Sequence, residues 1–138
     1  MRITFVNVGY GDAILMESDT GYTALLDGGG NLPQEFEGDP YRVRCAEYLR
    51  TRQIHHIDAL LISHIHEDHV CGLLPVLKDV SVGAIYVPYP ADPFLKGKPL
   101  EAKEGAARSV PLYTAALNSY REIISDANAK QIPVHVLH

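Results

Sequence analysis

Residues 57–69 read IDALLISHIHEDH, and this stretch decides the fold. Its first six residues form a short, mostly apolar run, which is typical of a strand buried on both faces in an α/β layered structure. Three histidines and one aspartate follow within the six positions 64–69. Because α/β sheets bind ligands at the carboxyl ends of their strands, we predict a ligand-binding loop directly after this strand.

The loop carries the donor atoms and the spacing of a metal site. His64 and His66 are two residues apart, so both imidazoles can point the same way from an extended chain and share one metal ion. Asp68 and His69 follow where the chain turns toward a helix, and they can be aimed at a second ion nearby. Imidazole nitrogens and carboxylate oxygens suit zinc, manganese or ferrous iron. An ordinary polar loop is the alternative, and so many donors in six positions argue against it.

The sequence on both sides of this stretch predicts a mixed sheet covered by helices. Before it, turns rich in glycine and aspartate separate three short apolar segments, which indicates an antiparallel meander. After it, helical and strand-like segments alternate. The predicted strands are 2–8, 13–18, 22–27, 57–62, 82–87 and 132–137, and the predicted helices are 41–53, 72–77 and 110–129. We therefore expect one domain of the α/β (α+β) class over residues 1–138, with a surface loop at 88–108.

Composition and charge exclude several classes of protein. The chain has 138 residues and a formal net charge of −5, which argues against an extended nucleic-acid-binding face. Its two cysteines provide no disulfide framework, and no hydrophobic run near the N-terminus is long enough to span a bilayer. We expect a cytoplasmic protein that does not associate with a membrane.

The segment from Ser63 to His69 resembles the signature H-x-H-x-D-H of the metallo-β-lactamase-fold hydrolases, which follows a strand ending in Ser or Thr. The turn at 8–14 and the segment at 25–29 also resemble that family. The turn is most similar to the branch that includes the hydrolase domain of bacterial competence (DNA-uptake) proteins, where Gln is usual at the position of Tyr10. The resemblance implies the family's αββα sandwich, of which this chain is expected to be the N-terminal half.

The resemblance also implies a ligand set and a reaction. His64 and His66 would bind the first of two divalent ions, and Asp68 and His69 would bind the second, with zinc favoured over manganese or iron. The reaction would be hydrolysis of a phosphodiester or another small ester by a water molecule that the ions activate. Asp68 would be the catalytic residue that orients this water or moves its proton.

The family normally completes this site from the second half of the sandwich, with further histidines and a bridging aspartate. His135 and His138 are the candidates for a third ligand here, and a solvated chain terminus is their alternative. We expect the chain to be incomplete at its C-terminus and to self-associate or to bind a complementary C-terminal half, because a half-sandwich leaves an apolar face exposed. A metal-binding or interaction half-domain without turnover is therefore the second hypothesis.

Four other features of the sequence bear on the site or on its surroundings. Asp27 ends a predicted strand and is either a turn residue or a partner that orients a ligand histidine from beneath the site. The glycines at 28–30 predict a flexible turn near the site. Lysines and an arginine at 96–108 indicate either a solvated loop or a phosphate-binding rim, and Cys71 is expected to serve packing.

Overall fold

Six strands form one mixed sheet in the computed structural model, which describes residues 1–90, 93 and 96–137. The strands are β1 (Arg2–Phe5), β2 (Ile14–Glu17), β3 (Thr23–Leu26), β4 (His56–Leu61), β5 (Ser81–Val87) and β6 (Val134–Val136). Neighbours in the sheet are also neighbours in the chain. The first three strands are the predicted antiparallel meander, and the last three join in parallel. The predicted mixed sheet is therefore confirmed.

Helices connect the parallel strands and cover one face of the sheet. In the described part of the chain they are α1 (Cys45–Thr51), α2 (Glu67–Val70), α3 (Leu73–Asp79) and α4 (Ser109–Ala129). Because α1 packs on α3 and α3 packs on α4, they lie on the same side. Each parallel crossover contains at least one of them, since strands that run in the same direction need a long connection. Among the helices of the described residues, none combines the length and the apolar character needed to cross a membrane.

Two helices differ from the expectation. α1 begins later than predicted because the backbone N–H of Val43 is donated to the carbonyl oxygen of Asn7 at 2.9 Å, which ties this segment to the first turn. The helix predicted at 72–77 is in fact the pair α2 and α3. Asp68 and His69 consequently lie in the first turn of a helix rather than in the irregular loop that was expected before it.

The core lies between the sheet and the helices. Leu15, Leu25, Leu60 and Ile85 occupy one continuous row across β2 to β5, and each has an exposed fraction of 0%. The helices cover this row with buried side chains that include Leu49, Leu73, Val76, Tyr120, Ile123 and Ile124. The histidine loop, residues 63–69, follows β4, which contributes Ile57 and Leu60 to this core.

The opposite face of the sheet carries a second apolar row. Successive residues of a strand point to opposite faces, so Phe5, Ile14, Leu26, Leu61 and Tyr86, which are in register, face away from the helices. Phe5 is 74% exposed, and the other four are half-buried. β4 is nevertheless buried on both faces at its centre, as expected, because Ala59 and Leu60 point to opposite faces and are 6% and 0% exposed.

Candidate metal centre

Asp27 joins the ends of β3 and β4 directly beneath the histidine loop. Its backbone N–H is donated to the carbonyl oxygen of Leu61 at 2.9 Å. Its carboxylate accepts the backbone N–H of Ser63 at 2.8 Å on Oδ1 and the hydroxyl of Ser63 on Oδ2. The residue is 1% exposed and has a φ of 58°, a left-handed conformation that aspartate tolerates better than most residues. The start of the loop is thus fixed by one buried carboxylate.

Three imidazoles of the loop converge above this carboxylate. The ring centroids of His64 and His69 are 4.0 Å apart, and those of His64 and His66 are 4.6 Å apart. His64 and His66 leave the strand in extended backbone, whereas His69 returns to them from the first turn of α2. The structure therefore brings together the three histidines that the sequence singled out.

The orientation of His69 is set by a hydrogen bond from below. Its Nδ1 donates to Oδ2 of Asp27 at 2.9 Å, which places the proton on Nδ1 and leaves the lone pair on Nε2. Oδ1 of Asp68 lies 3.9 Å from this Nε2. A buried carboxylate behind a histidine is the arrangement by which proteins fix a metal-binding imidazole and raise its basicity.

The orientation of His64 is set by its neighbour in the chain. Its Nδ1 lies 2.8 Å from Oγ of Ser63. Because the hydroxyl proton of Ser63 is already donated to Asp27, the Nδ1 proton of His64 is donated to Oγ, and Nε2 is left with the lone pair. Burial, together with the nearby imidazoles of His69 and His66, lowers the pKa of His64, so this side chain is held in its neutral form. Neutral imidazole is the form that binds metals.

The donor chemistry of this cluster fits divalent metal ions. Single donor atoms of Asp27, His64 and His69 all lie within 4.8 Å of one another. Both oxygens of Asp27, however, already accept hydrogen bonds from Ser63 and His69, so Asp27 is better placed as the residue that orients the ligands than as a ligand. His64 and His69 present Nε2 lone pairs, while the ring of His66 is exposed and the carboxylate of Asp68 is partly exposed.

Glycines around the site allow backbone segments to approach each other more closely than a Cβ atom would permit. An added Cβ at Gly11, which has a φ of 71°, would lie 1.7 Å from the carbonyl oxygen of Asp68. An added Cβ at Gly72 would lie 2.0 Å from the carbonyl oxygen of Gly28. Residues 28–30 are all buried. The prediction of a flexible turn at 28–30 is therefore wrong, since this turn is packed tightly between the first turn of the chain and α3.

Two buried acidic residues beside the site were missed by sequence reasoning. Glu35 and Glu67 are each 7% exposed, and their carboxyl groups are hydrogen-bonded to each other. Oε2 of Glu35 accepts the backbone N–H of Leu32 at 2.9 Å, and Oε1 of Glu67 accepts that of Asn31 at 3.0 Å. The pair therefore attaches the loop after β3 to α2. Glu67 could have been noticed because it stands inside the motif, but nothing in the local sequence marks Glu35.

This pair predicts a pH-dependent contribution to stability. Burial, and then the hydrogen bond that protonated Glu35 donates to Glu67, raise the pKa of Glu35 from its ordinary value of 4.5 to about 7. A raised pKa means that the contribution is fully present below about pH 4.5 and is lost as the pH rises through 7. Glu35→Gln, which is neutral at every pH, should gain stability relative to the wild type by on the order of 2 kcal/mol between about pH 5 and pH 8.

Urea unfolding of the metal-free protein at the two pH values measures this difference. Glu37→Gln is the matched control, because it removes the same charge from an exposed residue of the same loop. Equal pH dependence in the wild type and in Glu35→Gln would contradict the assignment.

Of the two candidate third ligands, the structure describes His135 and does not bring it to the cluster. His135 lies on β6 and stacks on Tyr86, with ring centroids 5.0 Å apart and an interplanar angle of 27°. Tyr86 in turn pairs with Leu61, so two strand spacings separate His135 from the end of β4. His138, the other candidate, lies outside the described residues.

The remaining features behave largely as structural elements. Cys71 is buried, its Sγ lies 3.2 Å from Oγ of Ser119, and burial raises the pKa of its thiol to about 11. The packing role predicted for it is confirmed. In the surface loop, the backbone of Leu100 is paired on both sides with the side-chain amide of Asn118 on α4, at 2.8 Å each. A phosphate-binding rim in this loop stays a prediction.

A sequence model described as the metallo-beta-lactamase superfamily matches residues 6–133. The chain belongs to the metallo-β-lactamase superfamily. This match spans both the meander and the parallel strands, so it covers the elements that build the histidine cluster. The predicted family and its mixed α/β fold are confirmed.

Two relatives show what this superfamily member is similar to. A ribonuclease Z of Methanopyrus kandleri is 39% identical over 54 residues, which cover 35% of this chain and 19% of that protein. A crystal structure of the hydrolase AbOPH in the beta lactamase superfamily aligns with a TM-score of 0.55 at 20% identity, over 91% of this chain and 43% of that one. The superfamily member described here thus spans less than half the length of either relative. The similarity to competence-type hydrolase domains stays a prediction.

Proposed function

We propose that this chain supplies part of the dinuclear metal site of a hydrolase that cleaves a phosphodiester or another ester-type bond. One observation carries the proposal. The ring centroid of His64 lies 4.6 Å from that of His66 and 4.0 Å from that of His69, and the hydrogen bond to Asp27 leaves Nε2 of His69 free to bind an ion. The name of the ribonuclease Z relative, which denotes cleavage of RNA, supports a phosphodiester as the bond that is cut. The acidic charge of the chain favours a small substrate over a long nucleic acid.

Each residue of the loop has a separate task in this proposal. His64 and His66 hold one ion, and Asp68 and His69 hold the other, with zinc the first choice and manganese or iron the alternatives. When bound, such ions acidify a water molecule and stabilise the negative charge that develops on the substrate. In this proposal Asp68, whose carboxylate is partly exposed, also orients the attacking water and accepts its proton.

The exposed apolar row of the sheet favours a partner for this half of the site. Phe5 is 74% exposed at one end of a row that continues through Ile14, Leu26 and Leu61. Apolar surfaces of this kind are usually covered by another layer of structure. We propose that this face is covered by a second copy of the chain or by a complementary C-terminal half, within the cytoplasm. The same face supports the second candidate function, an interaction half-domain that binds metal without turnover.

Metal content and turnover test the proposal together. The chain, alone or with the partner that completes its site, is expected to bind two zinc ions and to hydrolyse bis(4-nitrophenyl) phosphate. His66→Ala should lower turnover by at least about 100-fold, because an ion loses one of its ligands. His55→Ala is the matched control, since it removes an exposed histidine before β4.

The outcomes separate the two candidate functions. Loss of activity in His66→Ala but not in His55→Ala supports the hydrolase. Binding of two ions without hydrolysis of any phosphodiester, carboxyl ester or lactone, alone or with its partner, would favour the interaction half-domain.

A further inference from the structure

A cavity opens beside the histidine cluster and contains two exposed aromatic rings. Its volume is about 420 Å³, and its walls include Tyr10 from the first turn and Tyr113 from the start of α4. The motif residues His66 and Asp68 form one side of the same cavity. Volumes of this size are typical of sites for small molecules. A substrate held at the metal site would therefore extend into this space.

Both tyrosine rings are exposed although their positions are fixed by neighbouring groups. Tyr10 is 60% exposed, and the guanidinium of Arg42 lies over its ring, 5.1 Å from the centroid. Tyr113 is 54% exposed on a 21-residue helix whose inner side is buried. Its ring meets that of His66 edge to face, with centroids 5.7 Å apart. Such rings offer a prepared apolar surface, because little conformational entropy is lost when a ligand packs on them.

The charges around the cavity indicate what kind of group it accepts. Its acidic residues are Glu35, Glu67 and Asp68, and among the described residues that line it there is no lysine or arginine. A negative group in this space would meet the carboxylate of Glu67, which is hydrogen-bonded to Glu35. The nearby Arg42 lies over the ring of Tyr10 and is not among the lining residues, so the walls offer such a group no positive partner. Leu32 and Leu112 add aliphatic surface to the walls. The walls therefore suit a group that is uncharged and flat.

We propose that this cavity is the subsite for an uncharged aromatic group of the substrate, and that Tyr10 and Tyr113 determine this specificity. The inference rests on the proposed function, because it assigns the part of the substrate that lies next to the metal site. It makes aryl esters and aryl phosphodiesters the preferred substrates of the site.

Binding of phenol to the zinc-loaded chain, followed by saturation-transfer NMR, tests the subsite without turnover. Cyclohexanol is the comparison ligand, because it has a similar size but no aromatic face. We expect phenol to bind more tightly than cyclohexanol, and we expect Tyr113→Ala and Tyr10→Ala each to weaken phenol binding by about tenfold.

Two control variants distinguish the loss of the ring contact with phenol from a general disruption of the fold. Tyr113→Phe keeps the ring and should retain phenol binding. Tyr22→Ala removes a tyrosine that is 52% exposed in the turn between β2 and β3, and it should leave phenol binding unchanged. Phenol binding that survives both alanine substitutions in the cavity, or that is no tighter than cyclohexanol binding, would overturn the subsite.

Turnover of bis(4-nitrophenyl) phosphate keeps this result distinct from the proposed function. Hydrolysis by a chain that shows no phenol preference would leave the metal-dependent hydrolase standing and reject the aromatic subsite. Phenol binding that depends on the two tyrosines, in a chain that hydrolyses nothing, would support the subsite and count against the hydrolase.

Discussion

Asp27→Asn is expected to lower the affinity of the chain for zinc by about 10–100-fold while the fold is retained. The amide keeps an oxygen for the backbone N–H of Ser63, which the carboxylate accepts at 2.8 Å. It places an NH₂ group, however, where the carboxylate accepts Nδ1 of His69 at 2.9 Å. His69 must then move its proton from Nδ1 to Nε2, which removes the lone pair that would bind metal.

Two measurements detect this change independently. Competition with a chromophoric chelator gives the zinc affinity, and ¹⁵N NMR of the metal-free imidazole shows which nitrogen of His69 carries the proton. Asp58→Asn is the matched control, because Asp58 also accepts a backbone N–H across the sheet, that of Thr23 at 2.8 Å, but it lies at the other end of β4. An unchanged His69 tautomer with wild-type zinc affinity would show that Asp27 does not orient the ligand.

Gly11→Ala should abolish tight metal binding and also destabilise the fold. The new Cβ would lie 1.7 Å from the carbonyl oxygen of Asp68, and this is a backbone atom that no side-chain rotation can move. The first turn or α2 must therefore shift, and the proposed ligands Asp68 and His69 shift with it. The φ of 71° at Gly11 adds strain of about 1–2 kcal/mol for any residue with a Cβ.

Gly21→Ala separates these two effects. Gly21 has a φ of 89°, and an added Cβ there would meet nothing within 4 Å. This variant should lose about 1–2 kcal/mol of unfolding free energy and keep the wild-type zinc affinity. Urea unfolding and chelator competition on both variants give the comparison. Equal zinc affinities in Gly11→Ala and Gly21→Ala would mean that the close approach of Gly11 to Asp68 does not position Asp68 and His69 for metal binding.

The sequence allowed the meander, the parallel strands and the long helix to be predicted because their signals are local. Alternating apolar residues and glycine-rich turns determine the first three strands, and helical spacing over twenty residues determines α4. The start of α1 could not be predicted in this way. It depends on the hydrogen bond between Val43 and Asn7, which are 36 positions apart.

The same distinction applies to the candidate site. The motif residues could be recognised because they are close together in the sequence: His64, His66, Asp68 and His69. The structure brings their three imidazoles together. The contacts that orient them join distant segments, such as Asp27 with His69 or Glu35 with Glu67. The sequence suggested the orienting role of Asp27 only as one of two alternatives, and it gave no sign of the role of Glu35.

The central claim is that the loop supplies two ligands to each of two ions. A crystal structure of the zinc-loaded chain, with anomalous scattering measured at the zinc edge, tests it most directly. We predict two anomalous peaks, one in contact with His64 and His66 and the other in contact with Asp68 and His69. A single peak coordinated by Asp27, His64 and His69 would contradict the account.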